Sequence, residues 1–579
     1  MTDNAEIAAL LEEFADLLDA KGVEYKPRAY RRAAENVRDH PDSVVALAEE
    51  GQDAVAEIEG VGEAISAKIV EYVETGSIEE LAELREELPV DMAALTGVEG
   101  VGPKTVGALY EALGVRTLED LESAARAGEI QDVEGFGEKT EENILEGIDF
   151  ARQAHERALL SEGRPRGEAV REYLAGVDAV VECELAGSIR RFRPTVGDVD
   201  VLAASEDGAA VVDAFTDWPD AETVIEAGQS KASLRAGGLR VDLRVVAPGE
   251  FGSALQYFTG SKDHNVTLRN RAIGRDLKMN EYGVFDVSGL ADPDDQRAGE
   301  RVAGESEASM YEALDLPWIP PELREDRGEI DAAAAGDLPD LLAVEDVRGD
   351  LHVHTNYSDG TESVEEMVAG AAAFGHDYVC ITDHATGPGM VGGVGLDDEE
   401  LREQLGVVRE ADDGAEIDVF AGVEANVAAD GSVSVADDVL ADLDLVVASP
   451  HAALNGDGTE RLVAAAKHPH VDIVGHPTGR LINERAGLDI DVDRLAEVAA
   501  EHGTALEINA DPRRLDLQGR AVQTALDAGA TIVIDTDAHR RSAYDHVRYG
   551  VHTARRGWAE AADVLNARGA DGVREFLEG

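Results

Sequence analysis

Seven short apolar runs, each followed by a segment with helical periodicity, occupy the chain from residue 347 onward. The runs cover residues 349–354, 378–382, 418–424, 443–449, 471–475, 505–509 and 531–535. Strand–helix alternation of this length favours a closed, barrel-like α/β domain, because each crossover helix returns the chain to a neighbouring parallel strand. This pattern constrains residues 347–579, about two fifths of the chain, more strongly than any single motif.

Side chains that commonly bind metal ions stand at or just beyond the ends of these runs. His352 and His354 are two residues apart on one strand, so both imidazoles lie on one face. In a barrel such strand ends converge on one rim. Nine nitrogen and oxygen ligands are too many for one ion, which predicts two or three Zn²⁺ or Mn²⁺ ions suited to phosphoester hydrolysis. The nine candidates are His352, His354, Asp359, His384, Glu424, His451, His476, Asp537 and His539.

Two further aspartates, Asp383 and Asp535, lie beside these candidates. They could orient ligating histidines from behind, as carboxylates commonly do at metal sites. They could equally cap turns. The sequence leaves both possibilities open.

A glycine pattern recurs three times near the start of the chain, at residues 58–62, 98–102 and 133–137. Each copy separates two helical segments and none follows a strand, which disfavours a dinucleotide-binding fold. A tight turn of this kind presents main-chain N–H groups at the start of the second helix, where they can bind phosphate. Three copies therefore predict helix-hairpin-helix motifs that contact the DNA backbone.

The charge balance is extreme, with 120 Asp and Glu against 51 Lys and Arg and a formal net charge of −69. The carboxylates are spread along the chain and repel one another at low salt, since the screening length falls from about 10 Å at 0.1 M to about 3 Å at 1 M. We therefore predict a salt-rich cytoplasm, as in a halophile; the alternative is an ordinary acidic protein with basic partners. An acidic surface repels DNA phosphates, which argues against DNA binding. Main-chain N–H contacts remove this conflict, because they bind phosphate without lysines.

The two cysteines and the absence of long apolar runs limit the compartment. Cys183 and Cys380 both lie in apolar stretches, which excludes a disulfide scaffold and indicates reducing surroundings. No apolar run reaches the roughly 18 residues of a membrane span. We expect a cytoplasmic protein without membrane contact.

Three aspartates in the middle of the chain have the spacing of a two-metal site. Asp198 and Asp200 alternate on one predicted strand and so share a face, while Asp242, between apolar neighbours on another strand, can supply a third carboxylate. Three hard oxygen ligands suit two Mg²⁺ ions that activate a hydroxyl and hold a triphosphate. Phosphate contacts are expected from Gly187, Ser188, Arg191 and Gly197.

These motifs resemble those of family X DNA polymerases, which are related to DNA polymerase beta. The resemblance runs from residue 1 to about 325 and includes residues 257–261, Asn265, Arg269 and residues 280–283. It implies that the three aspartates bind the metals and that Arg240 orients the primer terminus. It also implies that Ser188 and Arg191 hold the incoming triphosphate. The remaining implied nucleotide and template contacts are Tyr257, Phe258, Gly260, Asn265 and Arg269.

The resemblance further places Lys68 where the family often has a lysine that forms a Schiff base with an abasic sugar. A second lysine, usual four residues earlier, is Ala64 here. Because this second lysine is missing, two interpretations stay open: Lys68 acts in a lyase reaction, or it is an ordinary solvated lysine on a helix.

Residues 347–579 resemble the polymerase-and-histidinol-phosphatase (PHP) domain, and a suitable side chain stands at all nine of that family's usual ligand positions. This resemblance implies a 3′→5′ exonuclease, a 3′-phosphatase or an abasic-site endonuclease. The predicted units are a helical lyase-like domain (1–90), fingers with two helix-hairpin-helix motifs (91–150), a nucleotidyltransferase palm (151–248), a thumb (249–325), a linker (326–346) and a (β/α)7 PHP barrel (347–579). The fold class is therefore multidomain α+β and α/β.

Together these features predict a monomeric repair enzyme that uses dNTPs to fill short gaps in gapped or nicked DNA, as in base excision repair. Its PHP domain would clean the 3′ end. Two alternatives stay open: a phosphoesterase of small molecules tethered to a DNA-binding module, and a non-catalytic DNA-end scaffold.

Overall fold

A computed structural model describes most of the chain. It leaves out residues 1–3, 24–25, 39, 41–42, 57, 59, 97, 99–100, 134–135, 138–140, 142–143, 146–147, 149–156, 291–294, 388–393, 455, 484–486 and 579. Part of each glycine pattern falls outside the described residues: Glu59 in the first, Glu99 and Gly100 in the second, and Glu134 and Gly135 in the third.

The amino-terminal part is helical, as predicted. Its apolar residues recur at helical spacing and pack into one core, in which the rings of Phe14 and Tyr30 stack with centroids 4.5 Å apart. The helices span Asn4–Ala20, Lys26–Arg38, Val44–Glu50, Gln52–Ala56, Glu63–Thr75, Glu79–Glu87, Met92–Thr96, Pro103–Leu113 and Leu118–Ala127, and a 3-10 turn spans Ile130–Asp132.

The first two glycine patterns form the same turn. Gly62 and Gly102 each precede a helix with φ −86° and ψ 174°, and neither provides a side-chain cap. The N–H of Val61 donates to the Ile58 carbonyl at 3.0 Å, and that of Val101 to the Val98 carbonyl at 2.9 Å. Both turns therefore leave helix-start N–H groups without a capping side chain, as a phosphate-binding hairpin requires.

A five-stranded sheet follows, in the order β2-β4-β7-β6-β5, with only β4 and β7 parallel. Gly163 and Gly167, on the helix Leu160–Ala175, approach the side chains of Val196 and Val199 and bring that helix close to the sheet. The strands of the sheet are β2 (Glu182–Leu185), β4 (Asp198–Ala204), β5 (Thr223–Ala227), β6 (Lys231–Ala236) and β7 (Leu239–Val246), while β1 (Ala158–Leu159) and β3 (Thr195–Val196) form a separate antiparallel pair. The helices are Leu160–Ala175, Gly187–Arg190 and Gly208–Thr216.

The next unit combines helices with a small antiparallel sheet, ordered β10-β9-β8. Its core includes Leu268 and Met310. The elements are Phe251–Thr259, Lys262–Ile273, β8 (Leu277–Asn280), β9 (Gly283–Asp286), β10 (Glu300–Ala303) and Glu307–Glu312, with 3-10 turns at Pro248–Glu250 and Pro321–Leu323.

The segment 326–346, expected to be a linker, is itself packed. It contains the helix Glu329–Ala335 and the 3-10 turn Val344–Asp346. Ile330 is buried in the same core as Leu268, whereas Leu342 is buried in the core of the last domain. The segment therefore joins two units through contacts on both sides.

The last domain is a parallel seven-stranded sheet in sequential order, β11 to β17, as the apolar runs predicted. A parallel bridge between Val353 and Ala538 joins the first strand to the chain just after the last, so the barrel is nearly closed. The strands are β11 (Gly349–Val353), β12 (Tyr378–Ile381), β13 (Asp418–Asn426), β14 (Leu445–Ser449), β15 (Ile473–Val474), β16 (Ala505–Asn509) and β17 (Ile532–Asp535).

Helices surround this barrel. They span Val364–Phe374, Asp398–Gly414, Asp437–Leu440, Thr459–Ala466, Val492–His502, Gly519–Asp527, Val547–Arg556 and Ala570–Leu577, with 3-10 turns at Arg541–His546, Ala561–Asp563 and Leu565–Ala567. Among the residues described, no helix has both the length and the apolar composition to cross a bilayer.

Candidate active sites

The three palm aspartates come together on two neighbouring strands. Asp198 and Asp200 lie on β4, and the parallel register with β7 sets Asp200 beside Asp242 and Asp198 beside Arg240. One carboxylate oxygen from each of the three lies within 4.8 Å of the others. The i, i+2 spacing and the strand pairing together produce this cluster, which can hold divalent ions.

The cluster is electrostatically strained without cations. Burial, together with the neighbouring charges of Asp198 and Asp242, raises the pKa of Asp200 to about 7. Burial and the charge of Asp242 also raise the pKa of Asp198. Because like charges this close disfavour joint ionisation, divalent ions would stabilise the ionised trio.

Two groups hold Asp242 in place. The hydroxyl of Ser233, on β6, donates to its Oδ1, and Arg240 Nε donates to the same oxygen at 2.9 Å. Arg240, expected to contact the primer terminus, thus also contacts a metal-ligand candidate. Sequence reasoning missed Ser233, whose position opposite Asp242 depends on the pairing of β6 with β7.

Gly187 approaches Asp200 closely. Its φ is +60°, and a Cβ at this position would lie 1.9 Å from Asp200 Oδ2. Only glycine fits there. Ser188 follows it and is half-buried, and Gly197, also half-buried, directly precedes β4.

A cavity of about 890 Å³ opens beside this cluster. Its wall includes Asp200 and, from the expected nucleotide contacts, Arg191, Tyr257, Phe258, Gly260, Asn265 and Arg269. The structure therefore brings six of the nine expected nucleotide-binding residues to one cavity that reaches a metal-ligand candidate.

Protein contacts fix two of these residues. Arg191 Nη1 donates to the Thr259 carbonyl, and its Nε lies 3.1 Å from Glu325 Oε1. Asn265 accepts from Gln256 at 2.7 Å and donates to the Tyr257 carbonyl at 2.7 Å. Both side chains are thus oriented before any ligand binds.

Lys68 lies in the helical amino-terminal part and does not line this cavity, although Asp16 and Arg31 of the same part do. Its Nζ is 2.5 Å from Glu80 Oε2 and 5.5 Å from the centroid of the Phe14 ring. Its side chain is 15% exposed. The lysine expected to act as a nucleophile is therefore an ion-paired residue in this structure.

The nine barrel candidates converge on one rim. Their ligand atoms form three overlapping groups in which every atom lies within 4.8 Å of the others. The groups are His354, Asp359, His384 and His539; His352, His354 and Asp537; and His384, Glu424 and His451. The ninth candidate, His476, has its Nε2 3.0 Å from Glu424 Oε1.

The donor atoms of this cluster fit metal ions. Within the described part of the chain, six buried imidazole nitrogens of the candidates have no hydrogen-bond partner: His352 Nε2, both nitrogens of His354, His384 Nδ1, His451 Nε2 and His476 Nδ1. Glu424 Oε2 is also buried without a well-aligned hydrogen bond, although it lies 2.5 Å from His384 Nδ1. Burial and the adjacent His539 and His384 lower the pKa of His354 to about 4, which keeps that ring neutral and able to ligate. Orphaned donors of this kind call for cations.

Groups behind the cluster orient three of its histidines. His352 Nδ1 lies 2.6 Å from Glu507 Oε1, His451 Nδ1 lies 2.7 Å from Asn426 Oδ1, and His539 Nδ1 lies 2.8 Å from the Asp537 carbonyl. Sequence reasoning missed Glu507 and Asn426. The sequence could have pointed to Glu507, because it lies on β16, the one barrel strand to which no ligand was assigned.

Asp383 and Asp535 bind main-chain and hydroxyl groups. Asp383 accepts from the Thr355 N–H at 2.8 Å and from the Thr355 hydroxyl at 2.6 Å, so it shapes the loop between His354 and Asp359. Asp535 accepts from the Leu351 N–H at 2.8 Å. Both contacts act on backbone next to ligand candidates.

A cavity of about 350 Å³ lies over this rim. Two cationic side chains, Arg513 and Arg514, line it together with Asp359, His384 and Asp537. Arg514 Nε is 3.8 Å from Asp537 Oδ2. Arg513 Nη2 lies 2.6 Å from Asp511 Oδ2 on the same wall, so both arginines pair with carboxylates, and an anionic ligand would need bound metal ions beside them.

Four regions of the chain match known families. Residues 2–78 match a helix-hairpin-helix domain, and residues 92–149 match a SAM-like helix-hairpin-helix tandem. Residues 254–325 match the DNA polymerase beta thumb, and residues 350–511 match the PHP domain.

Individual proteins are similar over different spans. The Bacillus subtilis (strain 168) protein named DNA polymerase/3′-5′ exonuclease PolX is 36% identical over 99% of both chains. Rat DNA polymerase lambda is 26% identical over 56% of each chain. A probable phosphatase of Caldanaerobacter subterraneus is 32% identical over 33% of this chain and 75% of its own. The chain belongs to the PolX family, the family X DNA polymerases that carry a carboxy-terminal PHP domain.

Proposed function

We propose that the protein is a DNA-directed DNA polymerase that fills short gaps during repair, and that its PHP domain removes nucleotides or phosphate from 3′ ends. The observation that carries the proposal is the pair of clusters in one chain: three aspartates, of which Asp200 lines a cavity of about 890 Å³, and nine candidate ligands on a barrel rim. The PolX protein of Bacillus subtilis, named for both activities, supports it along its whole length.

In the palm, Asp198, Asp200 and Asp242 would hold two Mg²⁺ ions, which activate the primer 3′-hydroxyl and neutralise the triphosphate. Arg191 would bind the triphosphate from the cavity wall. Tyr257, Phe258 and Gly260 would contact the sugar, while Asn265 and Arg269 would contact the nascent pair. Ser188 would add a hydroxyl donor to the phosphates.

In the barrel, the nine ligands would hold two or three Mn²⁺ or Zn²⁺ ions, which supply a nucleophile for phosphoester hydrolysis. Arg513 and Arg514 would attract the DNA phosphate into the cavity above them. Similarity to a probable phosphatase over 33% of the chain supports 3′-phosphatase activity, and similarity to a protein named as a 3′-5′ exonuclease supports exonuclease activity.

DNA binding would rest on main-chain donors. Gly62 and Gly102 leave helix-start N–H groups without capping side chains, and such groups bind phosphate even in a chain of net charge −69. We expect the DNA affinity to depend less on salt than that of a lysine-rich protein making the same number of contacts.

A crossed pair of variants tests the two sites. On gapped DNA whose primer ends in a 3′-phosphate, His352→Ala should abolish extension. The same variant should extend a primer with a free 3′-hydroxyl at the wild-type rate. Asp200→Ala should spare phosphate removal and abolish extension of both primers. Loss of both activities in each variant would contradict separate sites.

Lyase activity of Lys68 is a separate proposal with its own test. Borohydride should trap the wild-type protein on DNA carrying a 5′-deoxyribose phosphate, and Lys68→Ala should abolish the adduct. Lys104→Ala is the control, because Lys104 is another helical lysine near a carboxylate, 3.8 Å from Asp19. Absence of an adduct with the wild type would end the lyase proposal.

The cellular setting is also proposed. A charge of −69, spread over the chain, favours the salt-rich cytoplasm of a halophile and, through repulsion between copies, a monomer. The place in base excision repair is proposed from the similarity to family X DNA polymerases. Activity that peaks in molar KCl, with a monomer mass in the same buffer, would support this setting.

A further inference from the structure

One helix of the PHP barrel, Val547–Arg556, lies against the polymerase half of the chain. Arg548 Nη2 donates to Glu168 Oε1 at 2.6 Å, the ring of His552 stacks on Phe192 with centroids 3.3 Å apart, and Arg555 Nε donates to Glu322 Oε1 at 2.7 Å. Residues three and four apart share a helix face, so these contacts come from one face. The interface is therefore built from specific polar and ring contacts.

Arg556, the last residue of this helix, reaches the backbone of Arg191. Its Nη1 donates to the Arg191 carbonyl at 2.7 Å and to Glu325 Oε1 at 3.0 Å. Glu325 Oε1 also accepts from Arg191 Nε at 3.1 Å. The Arg556 side chain is only 6% exposed, so salt screens these contacts weakly.

Glu325 is shared by three guanidinium groups, those of Arg556, Arg191 and Arg193. Although burial opposes ionisation, these cations lower the pKa of Glu325 to about 2, so its carboxylate is charged. Because Arg556 and Arg193 also pair with it, Glu325 does not neutralise Arg191 alone. Arg191 can then keep its charge for the cavity that it lines.

We propose that Arg556, a residue of the PHP barrel, is a positioning residue for nucleotide binding in the polymerase site. It fixes the Arg191 backbone directly and shares Glu325 with the Arg191 side chain. Without Arg556, the Arg191 carbonyl loses its donor and Glu325 pairs more closely with Arg191. This inference rests on the proposed role of Arg191 in holding the incoming triphosphate.

The test uses the full-length chain in molar KCl with Mg²⁺, gapped DNA that has a free 3′-hydroxyl, and one dNTP. In Arg556→Gln the KM for the dNTP should rise about tenfold, since small displacements of a binding group are costly, while kcat changes little. Arg556→Lys keeps the charge and should give an intermediate KM. Arg548→Gln is the matched control: it removes a contact of the same helix with Glu168 and should leave KM unchanged.

Removal of a 3′-phosphate, measured in parallel, should be the same in all four proteins. An unchanged KM in Arg556→Gln would overturn the inference, as would an equal rise in Arg548→Gln, which would indicate general loosening of the interface. If Arg556→Gln does not fold, the KM of Arg556→Lys decides by the same criterion. A wild-type chain that fails to extend any primer would instead contradict the proposed function.

Discussion

Asp200 on β4 and Asp242 on β7 are direct partners in a parallel pair of strands. Register therefore sets their side chains next to each other on one face of the sheet. The neighbouring charge of Asp242 contributes to raising the pKa of Asp200, after burial itself. A cluster that is unfavourable when empty of cations is well suited to hold them.

Replacing Asp242 by Asn should lower kcat for primer extension by at least about 100-fold, because a charged ligand of a catalytic metal site contributes several kcal/mol to the transition state. The same change should raise the Mg²⁺ concentration needed for half-maximal activity. Primer extension at a series of Mg²⁺ concentrations measures both quantities.

The control for this change is Asp220→Asn, which removes an exposed carboxylate from the same domain. It should extend primers at the wild-type rate. Normal extension by Asp242→Asn at low Mg²⁺ would show that the cluster does not hold the ions for synthesis.

Local sequence patterns were enough for the barrel. Apolar runs predicted all seven strands because a strand buried on both faces is nearly continuous in apolar residues. They also placed ligand candidates, since His352 and His354 alternate within one run and Glu424 ends another. Lengths were less accurate: β15 covers only Ile473–Val474, whereas β13 extends to Asn426.

Long-range pairing was beyond these patterns. Glu507 contacts His352, which lies 155 residues away in the sequence. Ser233 contacts Asp242 because of the register between two strands, and the local sequence does not predict that register. Arg556 likewise reads as an ordinary basic residue at a helix end. Its role depends on Glu325, 231 residues earlier, and no local periodicity connects the two.

Replacing Glu507 by Gln should weaken metal binding by the barrel about 10- to 100-fold, as is typical when a group that orients a ligating histidine is lost. Glu507 Oε1 lies 2.6 Å from His352 Nδ1 and fixes which ring nitrogen faces the cluster. Metal content after dialysis against a chelator, together with 3′-phosphate removal, measures the effect.

Asp472→Asn is the matched control. Asp472 is a buried barrel carboxylate, and burial raises its pKa to about 7, but it accepts from the Val446 N–H at 2.8 Å on a strand away from His352. Equal metal loss in both variants would mean that Glu507 acts only on barrel stability.

Gly187→Ala should reduce primer extension at least tenfold, because a Cβ there would lie 1.9 Å from Asp200 Oδ2 and must displace a metal ligand; misplacement by about 1 Å costs up to about 100-fold in rate. Removal of a 3′-phosphate should be unaffected. Gly289→Ala is the control, because Gly289 also has a positive φ, +78°, yet a Cβ there meets nothing within 4 Å. If both variants lose extension equally, backbone strain rather than the clash is responsible.

The contact between the thumb and the barrel should be sensitive to acid. Arg555 and His552 lower the pKa of Glu322 to about 2 despite its burial. A carboxyl with a depressed native pKa stabilises the fold fully above its unfolded pKa and loses that contribution as pH falls through the native one. We expect a loss of about 3 kcal/mol between about pH 4.5 and pH 2.

Urea unfolding at several pH values measures this contribution. Glu322→Gln should flatten the dependence of the unfolding free energy on pH in that window, whereas Glu312→Gln, at an exposed position nearby, should not. Identical slopes for the wild type and Glu322→Gln would show that this contact does not set acid stability.

Stability should rise steeply with salt. At a net charge of −69 the surface carboxylates repel one another, and this repulsion is screened beyond about 10 Å at 0.1 M salt but beyond about 3 Å at 1 M. A gain of about 3 kcal/mol in unfolding free energy would raise the Tm of a domain the size of the barrel by about 10 °C. Thermal unfolding in 0.1 M and 2 M KCl measures this rise in Tm.

Sucrose of equal osmolality is the control, since it is excluded from the surface without screening charge. Full stability in dilute buffer, or an equal gain in sucrose, would show that charge repulsion does not limit the fold.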